Sequence, residues 1–167
     1  MDFRMREVPE QVVVGEQRMV DQQALEQWLP GAMTRVHKAA GEAGAGTAEQ
    51  PHLLRDDSSD EPVFIVIYEG NPNVGETAVE VCTPLRAGSA APAGVAVRMI
   101  PAHRESYVRV TKGTVQAGGL GRVYEAIEGW IGSQGMEIAA APRETYWTDF
   151  HAAADDDVVF DVAFPVR

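Results

Sequence analysis

The same order of structural signals occurs twice along this chain, and that duplication constrains the fold more than any other feature. Val8-Pro9 precedes an apolar strand over Gln11 to Gly15, and Ile100-Pro101 precedes another around Ser106 to Thr111. A helical pattern follows in each case. Leu25, Trp28, Leu29, Ala32, Met33 and Val36 recur at three- and four-residue spacing, with Asp21 placed as an N-cap. Leu120, Val123, Tyr124, Ile127, Trp130 and Ile131 repeat the pattern, and Gly135 stands where a helix ends on glycine. Two strands then close each half. Pro62 to Tyr68 is expected to pair with Ala78 to Pro84, and Pro142 to Thr148 with Val158 to Pro165. The endings Glu80-Val-Cys-Thr-Pro-Leu-Arg86 and Asp161-Val-Ala-Phe-Pro-Val-Arg167 correspond closely, each with a proline expected to stop its strand.

A β-α-β-β unit present twice is the inference, with module 1 over residues 1–86, a small-residue linker over 87–94 and module 2 over 95–167 of one domain. Each unit alone buries too little apolar surface to stand, but two sheets meeting at a pseudo-twofold axis can share a core. Such an arrangement is α+β, and the junction between its halves is where a small-molecule cleft belongs. The copies differ most in the long polar stretch Gly41 to Glu61, a lid or a flexible excursion.

Composition narrows the function. A net charge of −11, with the 14 basic residues scattered, argues against direct nucleic-acid binding, which needs clustered Lys and Arg. One cysteine, Cys82, excludes an internal disulfide framework and fits a reducing cytoplasm, with a core role in a strand. The amino terminus lacks the apolar core of a signal peptide, and no apolar run approaches the roughly 20 residues of a membrane helix. A cytoplasmic protein with no membrane partner is expected. His37, His52, His103 and His151 lack metal-ligand spacing, so neither a metal nor a cofactor is expected. Gly118-Gly-Leu-Gly121 lacks the lysine of a phosphate loop, Asp155-Asp-Asp157 reads as a solvated hairpin loop, and no nucleophile-histidine constellation stands out.

The distinctive chemistry lies in Arg143-Glu-Thr-Tyr-Trp147, a carboxylate among rings. Period-2 alternation puts Glu144 and Tyr146 on one face, Thr148 and Phe150 after them if the strand continues, and Trp147 on the other face in a packing position. Taken alone, Glu144 reads equally well as a solvent-facing residue paired with Arg143 or Arg104. Phe160 belongs to the alternating set Val158, Phe160, Val162, Phe164, a buried sheet face that lines a cleft if that face forms its wall.

Together these features resemble the GyrI-like small-molecule-binding family, which supplies the effector-binding domain of multidrug-sensing MerR- and AraC-type regulators. The resemblance spans the chain. It rests on Val8-Pro9, on Ile100-Pro-Ala-His103, on a Gly113 to Ile131 helix ending in Trp130-Ile131, on Arg143-Glu-Thr-Tyr146 and on the terminal Phe164-Pro-Val166. It implies a curved antiparallel sheet with helices on one side and, between the halves, a cleft for lipophilic, often cationic, aromatic compounds. It implies that Glu144, Tyr146 and Tyr68 face the ligand, with Phe160 lining the cleft if its sheet face forms the wall. The regulators carry a helix-turn-helix ahead of this domain, so a chain starting at the first strand resembles the stand-alone members, which bind no operator and serve in drug resistance as multidrug binders. Some relatives instead hydrolyse the strained cyclopropane of DNA-alkylating compounds, in which case Glu144 is general acid or base and Tyr146 orients substrate or water. A gyrase-directed protein contact, as for the family's namesake, has no supporting charge stripe.

Overall fold

The computed structural model describes residues 1–42, 64–85 and 93–167. The linker over 87–94 and the stretch after Glu42 therefore lie mostly outside the described residues. Eight strands are β1 (Arg4–Val8), β2 (Gln11–Val20), β3 (Phe64–Tyr68), β4 (Thr77–Pro84), β5 (Ala96–Ile100), β6 (His103–Thr111), β7 (Arg143–Tyr146) and β8 (Val158–Val166). Three helices are α1 (Gln22–Glu42), α2 (Lys112–Gln116) and α3 (Leu120–Ser133). All strands join one curled antiparallel sheet in the order β1-β6-β8-β7-β3-β4-β2-β5. Exchanging β1 with β5, β6 with β2, β8 with β4 and β7 with β3 reverses that order onto itself, so the pseudo-twofold axis passes between β7 and β3.

The duplicated unit is longer than its apolar signals suggest. Arg4–Val8 and Ala96–Ile100 are strands too, and each is exchanged: β1 pairs with β6, and β5 with β2. Both are edge strands whose alternation is masked by charges or exposed apolar residues, so periodicity alone passes over them. The helix expected over Gly113 to Ile131 is also two helices. Gly118 takes φ +70° and ends α2, the Gly119 amide bonds Thr114 O at 2.9 Å, and the chain restarts at Leu120. Gly41 and Glu42 close α1 rather than opening a loop. Pro84 ends β4 as expected, whereas β8 runs one residue past Pro165. The Asp21 carboxylate accepts from the Ala24 amide at 2.8 Å, as an N-cap does.

Cross-strand register assigns the two faces. Val81, Val66, Glu144 and Val162 stand opposite one another in turn and share one face, while Cys82, Ile65, Thr145 and Asp161 share the other. Helices α1 and α3 cover the first face. α1 packs Leu25, Trp28, Ala32 and Val36 over β2 and β4, and α3 packs Val123, Ile127 and Ile131 over β6 and β8. The central pair β3 and β7 lies in the span between them. Inside the curl, Val13, Ile65, Ile67, Cys82, Ile100 and Trp147 form a third apolar cluster, which is why β2 buries both Val13 and Val14. Gly15 is required there: a Cβ would lie 2.7 Å from both Cys82 Cβ and Val81 O. No helix among the described residues is long and apolar enough to cross a membrane.

Beside that cluster the inner face carries charge. Arg6 donates from Nε to Glu105 at 2.6 Å and from Nη1 to Asp161 at 2.8 Å, with its guanidinium 4.2 Å over the Tyr107 ring. His103 Nε2 lies 3.2 Å from Glu105 and its Nδ1 2.8 Å from Pro101 O, so this histidine belongs to the inner network rather than to the surface. Burial pushes the Glu105 carboxyl upward, but His103, Arg6 and Arg143 outweigh it and hold its pKa at about 2.

Candidate functional site

Strand alternation puts Glu144 and Tyr146 of β7 on the helix side, in the span between α1 and α3, and Val66 of β3 stands directly opposite Glu144. Tyr68 comes from the end of β3 and Tyr124 from the flank of the α3 apolar stripe. Their three hydroxyls converge on one carboxylate. Tyr146 donates to Glu144 Oε2 at 2.7 Å, Tyr68 to the same oxygen at 3.1 Å, and Tyr124 to Oε1 at 3.1 Å. Glu144 is 4% exposed, and no basic side chain pairs with it among the described residues.

Glu144 is therefore not a solvent-facing residue paired with Arg143 or Arg104. Arg143 points to the inner face, and Arg104 lies near Met136. Burial pushes the Glu144 carboxyl above the ordinary carboxylate range, and the hydroxyls of Tyr146, Tyr68 and Tyr124 pull it back only in part. Burial, reinforced by the Glu144 charge, raises all three tyrosines, which stay protonated donors.

Aromatic packing fixes the donors. The Tyr146 ring sits 4.8 Å from Phe160, and the Tyr124 ring meets Phe164 edge-on at 5.8 Å. Phe160, 2% exposed, lies beneath Tyr146 in the core. The strand stops at Tyr146, so Thr148 and Phe150 do not continue the face. Trp147 packs inside the curl, away from the helices, its amide bonded to Val159 O at 3.0 Å.

Glu144, Tyr146 and Tyr68, singled out in the sequence, thus meet at one point, with Phe160 supporting them. Tyr124 is the member that sequence reasoning missed. Helical spacing set it among core positions, and only the sheet register reveals that this flank of α3 looks down on Glu144. The arrangement holds a buried anion with hydroxyl dipoles alone, three donors for a group with about four acceptor sites. It can receive a cation over aromatic faces, or hold and release a proton.

Comparison with known proteins agrees with this architecture. No curated protein matches the sequence. Among solved structures, the EcmrR C-terminal domain aligns with TM-score 0.70 at 18% identity, over 99% of this chain and 97% of that one. SAV2435 bound to tetraphenylphosphonium aligns with TM-score 0.59 at 13% identity, over 100% of this chain and 94% of that one. A hydrolase from Listeria innocua aligns with TM-score 0.61 at 9% identity, over 99% and 91%. The model of the GyrI-like small molecule binding domain matches residues 1–167, and the chain belongs to that family.

Proposed function

We propose that this chain binds lipophilic aromatic cations, with Glu144 as the counter-charge and Tyr68, Tyr124 and Tyr146 as the wall. The observation that carries this reading is a fully buried carboxylate held by three hydroxyls and faced by no basic group among the described residues. A charge so placed is poorly screened, and a delocalised cation gains far more beside it than in water. Ring faces add about 0.5–2 kcal/mol each by cation–π attraction. Buried flat apolar area contributes about 25 cal/mol per Å². The tyrosines cover Glu144, so a ligand that reaches it displaces at least one of them, and Tyr124 on its separate helix is the one least tied to the strand. The tetraphenylphosphonium held by SAV2435 is a ligand of this chemistry. In this reading the protein acts as a cytoplasmic drug binder without itself contacting nucleic acid.

The test is fluorescence-competed binding of tetraphenylphosphonium and of neutral triphenylphosphine oxide to wild type and Glu144→Gln. The cation is expected to lose at least tenfold in affinity and the neutral compound little. Equal losses would remove the electrostatic part of the proposal.

A second reading uses the same atoms. A carboxyl pushed upward by burial, 2.7 Å from the Tyr146 hydroxyl, is better able to hold and pass on a proton than an ordinary carboxylate. In a cyclopropane hydrolase Glu144 takes a proton from water, and the water oxygen bonds to a ring carbon. The strained carbon–carbon bond breaks, and its electron pair takes up the proton that Glu144 received, so that one water is added in all. Mass spectrometry of a cyclopropane-containing alkylator would show the gain of one water with wild type and none with Glu144→Ala. Unchanged compound with wild type leaves the binder alone.

A further inference from the structure

We propose that the inner face of the sheet, opposite the helices, holds a site for one compact monoanion of chloride or formate size, centred on the Arg143 guanidinium. Arg143 is 7% exposed. Its acidic neighbour is Glu105, with Nε 4.0 Å from Oε2, a distance too long for a hydrogen bond. Nε of Arg143 is buried with no acceptor among the described residues, and so is Nη2 of Arg6.

Charge on this face is unbalanced in the same place. Arg98 is matched by both oxygens of Glu80 at 2.8 and 2.6 Å. Arg6 bridges Glu105 and Asp161, and Arg109 stands opposite Asp161. Around Glu105 and Asp161, three guanidinium groups, Arg6, Arg109 and Arg143, thus meet two carboxylates, and Arg143 makes a hydrogen bond to neither. Burial opposes its charge most, Glu105 offsets this only in part, and Arg98 and Arg6 add repulsion. A buried guanidinium in this position is costly without an opposite charge in hydrogen-bond contact. Water can satisfy the orphaned N–H groups but not the charge.

The surplus is a single charge, and Glu105 and Asp161 close by would repel a second negative charge. That excludes sulfate- or phosphate-like dianions and favours a halide or a small carboxylate, which the planar guanidinium receives well. This site is independent of Glu144, which faces the opposite side of the same strand.

The test replaces sodium gluconate by sodium chloride or formate at constant ionic strength and follows the melting temperature of wild type, Arg143→Met and Glu144→Gln. A saturable rise is expected for wild type and Glu144→Gln, and none for Arg143→Met, because a ligand that binds only the folded state stabilises by mass action. Wild type indifferent to anion identity, or an undiminished rise in Arg143→Met, would overturn the proposal. Should Arg143→Met fail to fold, chloride-35 line broadening by wild type decides: excess width displaced by formate is expected, and its absence is fatal to the site.

Discussion

The Tyr124 hydroxyl lies 3.1 Å from Glu144 Oε1, which ties helix α3 to the central strand β7 through a single hydrogen bond. Removing the hydroxyl withdraws one of three groups that favour the ionised carboxylate, so the Glu144 pKa should rise further above its ordinary range. In the proposed reading, cation binding needs the ionised form and is lost as pH falls through that pKa. In Tyr124→Phe the midpoint of this loss is therefore expected at higher pH than in wild type, measured by tetraphenylphosphonium binding between pH 4 and 8. An unchanged midpoint would mean that the Tyr124 bond does not act on the charge.

Acid stability should carry two opposing signatures. The Glu105 pKa is held at about 2 in the folded protein, below its unfolded value. Its stabilisation is present above about pH 4.5 and is lost as pH falls toward 2, on the order of 3 kcal/mol in all. Glu144 has the opposite sign. Its folded pKa is raised, so its contribution is present below the unfolded value and lost as pH rises through the folded one. Urea midpoints across pH 2–7 should then show a steep loss below pH 4.5 in wild type. In Glu105→Gln that acid slope should flatten, with stability already lower at pH 7. An acid slope unaltered by Glu105→Gln would refute the assignment.

Much of this was legible in the chain itself, and the gaps have physical causes. Leu25, Trp28, Ala32 and Val36 announce α1 because one face of it is buried, and Glu144 with Tyr146 follows from the period of a strand. β1 and β5 were not legible. Their pairing partners lie about 100 and 85 residues away in sequence, and Arg6 is held by Glu105 and Asp161 rather than by apolar contact. The same limit hid Tyr124, whose role depends on a carboxylate 20 residues later that only the sheet register brings beneath it.

Cys82 should be inert while the protein is folded. It is fully buried on the inner face, and burial, with Glu80 adding to it, pushes its thiol up to about 12. Thiolate is the reactive form, so both access and ionisation oppose attack. Native protein at pH 8 is expected to resist a disulfide-exchange reagent for as long as it stays folded, with full reaction on unfolding in guanidinium. Stoichiometric labelling within minutes under native conditions would show that the curl opens far more readily than its packing implies.

The close approach of β2 to β4 makes Gly15 the most sensitive small residue in the sheet. An added methyl would meet Cys82 Cβ and the Val81 carbonyl, each at 2.7 Å, and the second of these is backbone that cannot rotate away. Overpacking of this kind costs about 1–3 kcal/mol. Gly15→Ala should lower the urea midpoint accordingly with little change in slope. Trimming the opposing side chain by Cys82→Ala should not rescue it, because alanine keeps the same Cβ and leaves the carbonyl in place. Rescue by that second substitution would mean that the sulfur, rather than the backbone approach, sets the limit at this position.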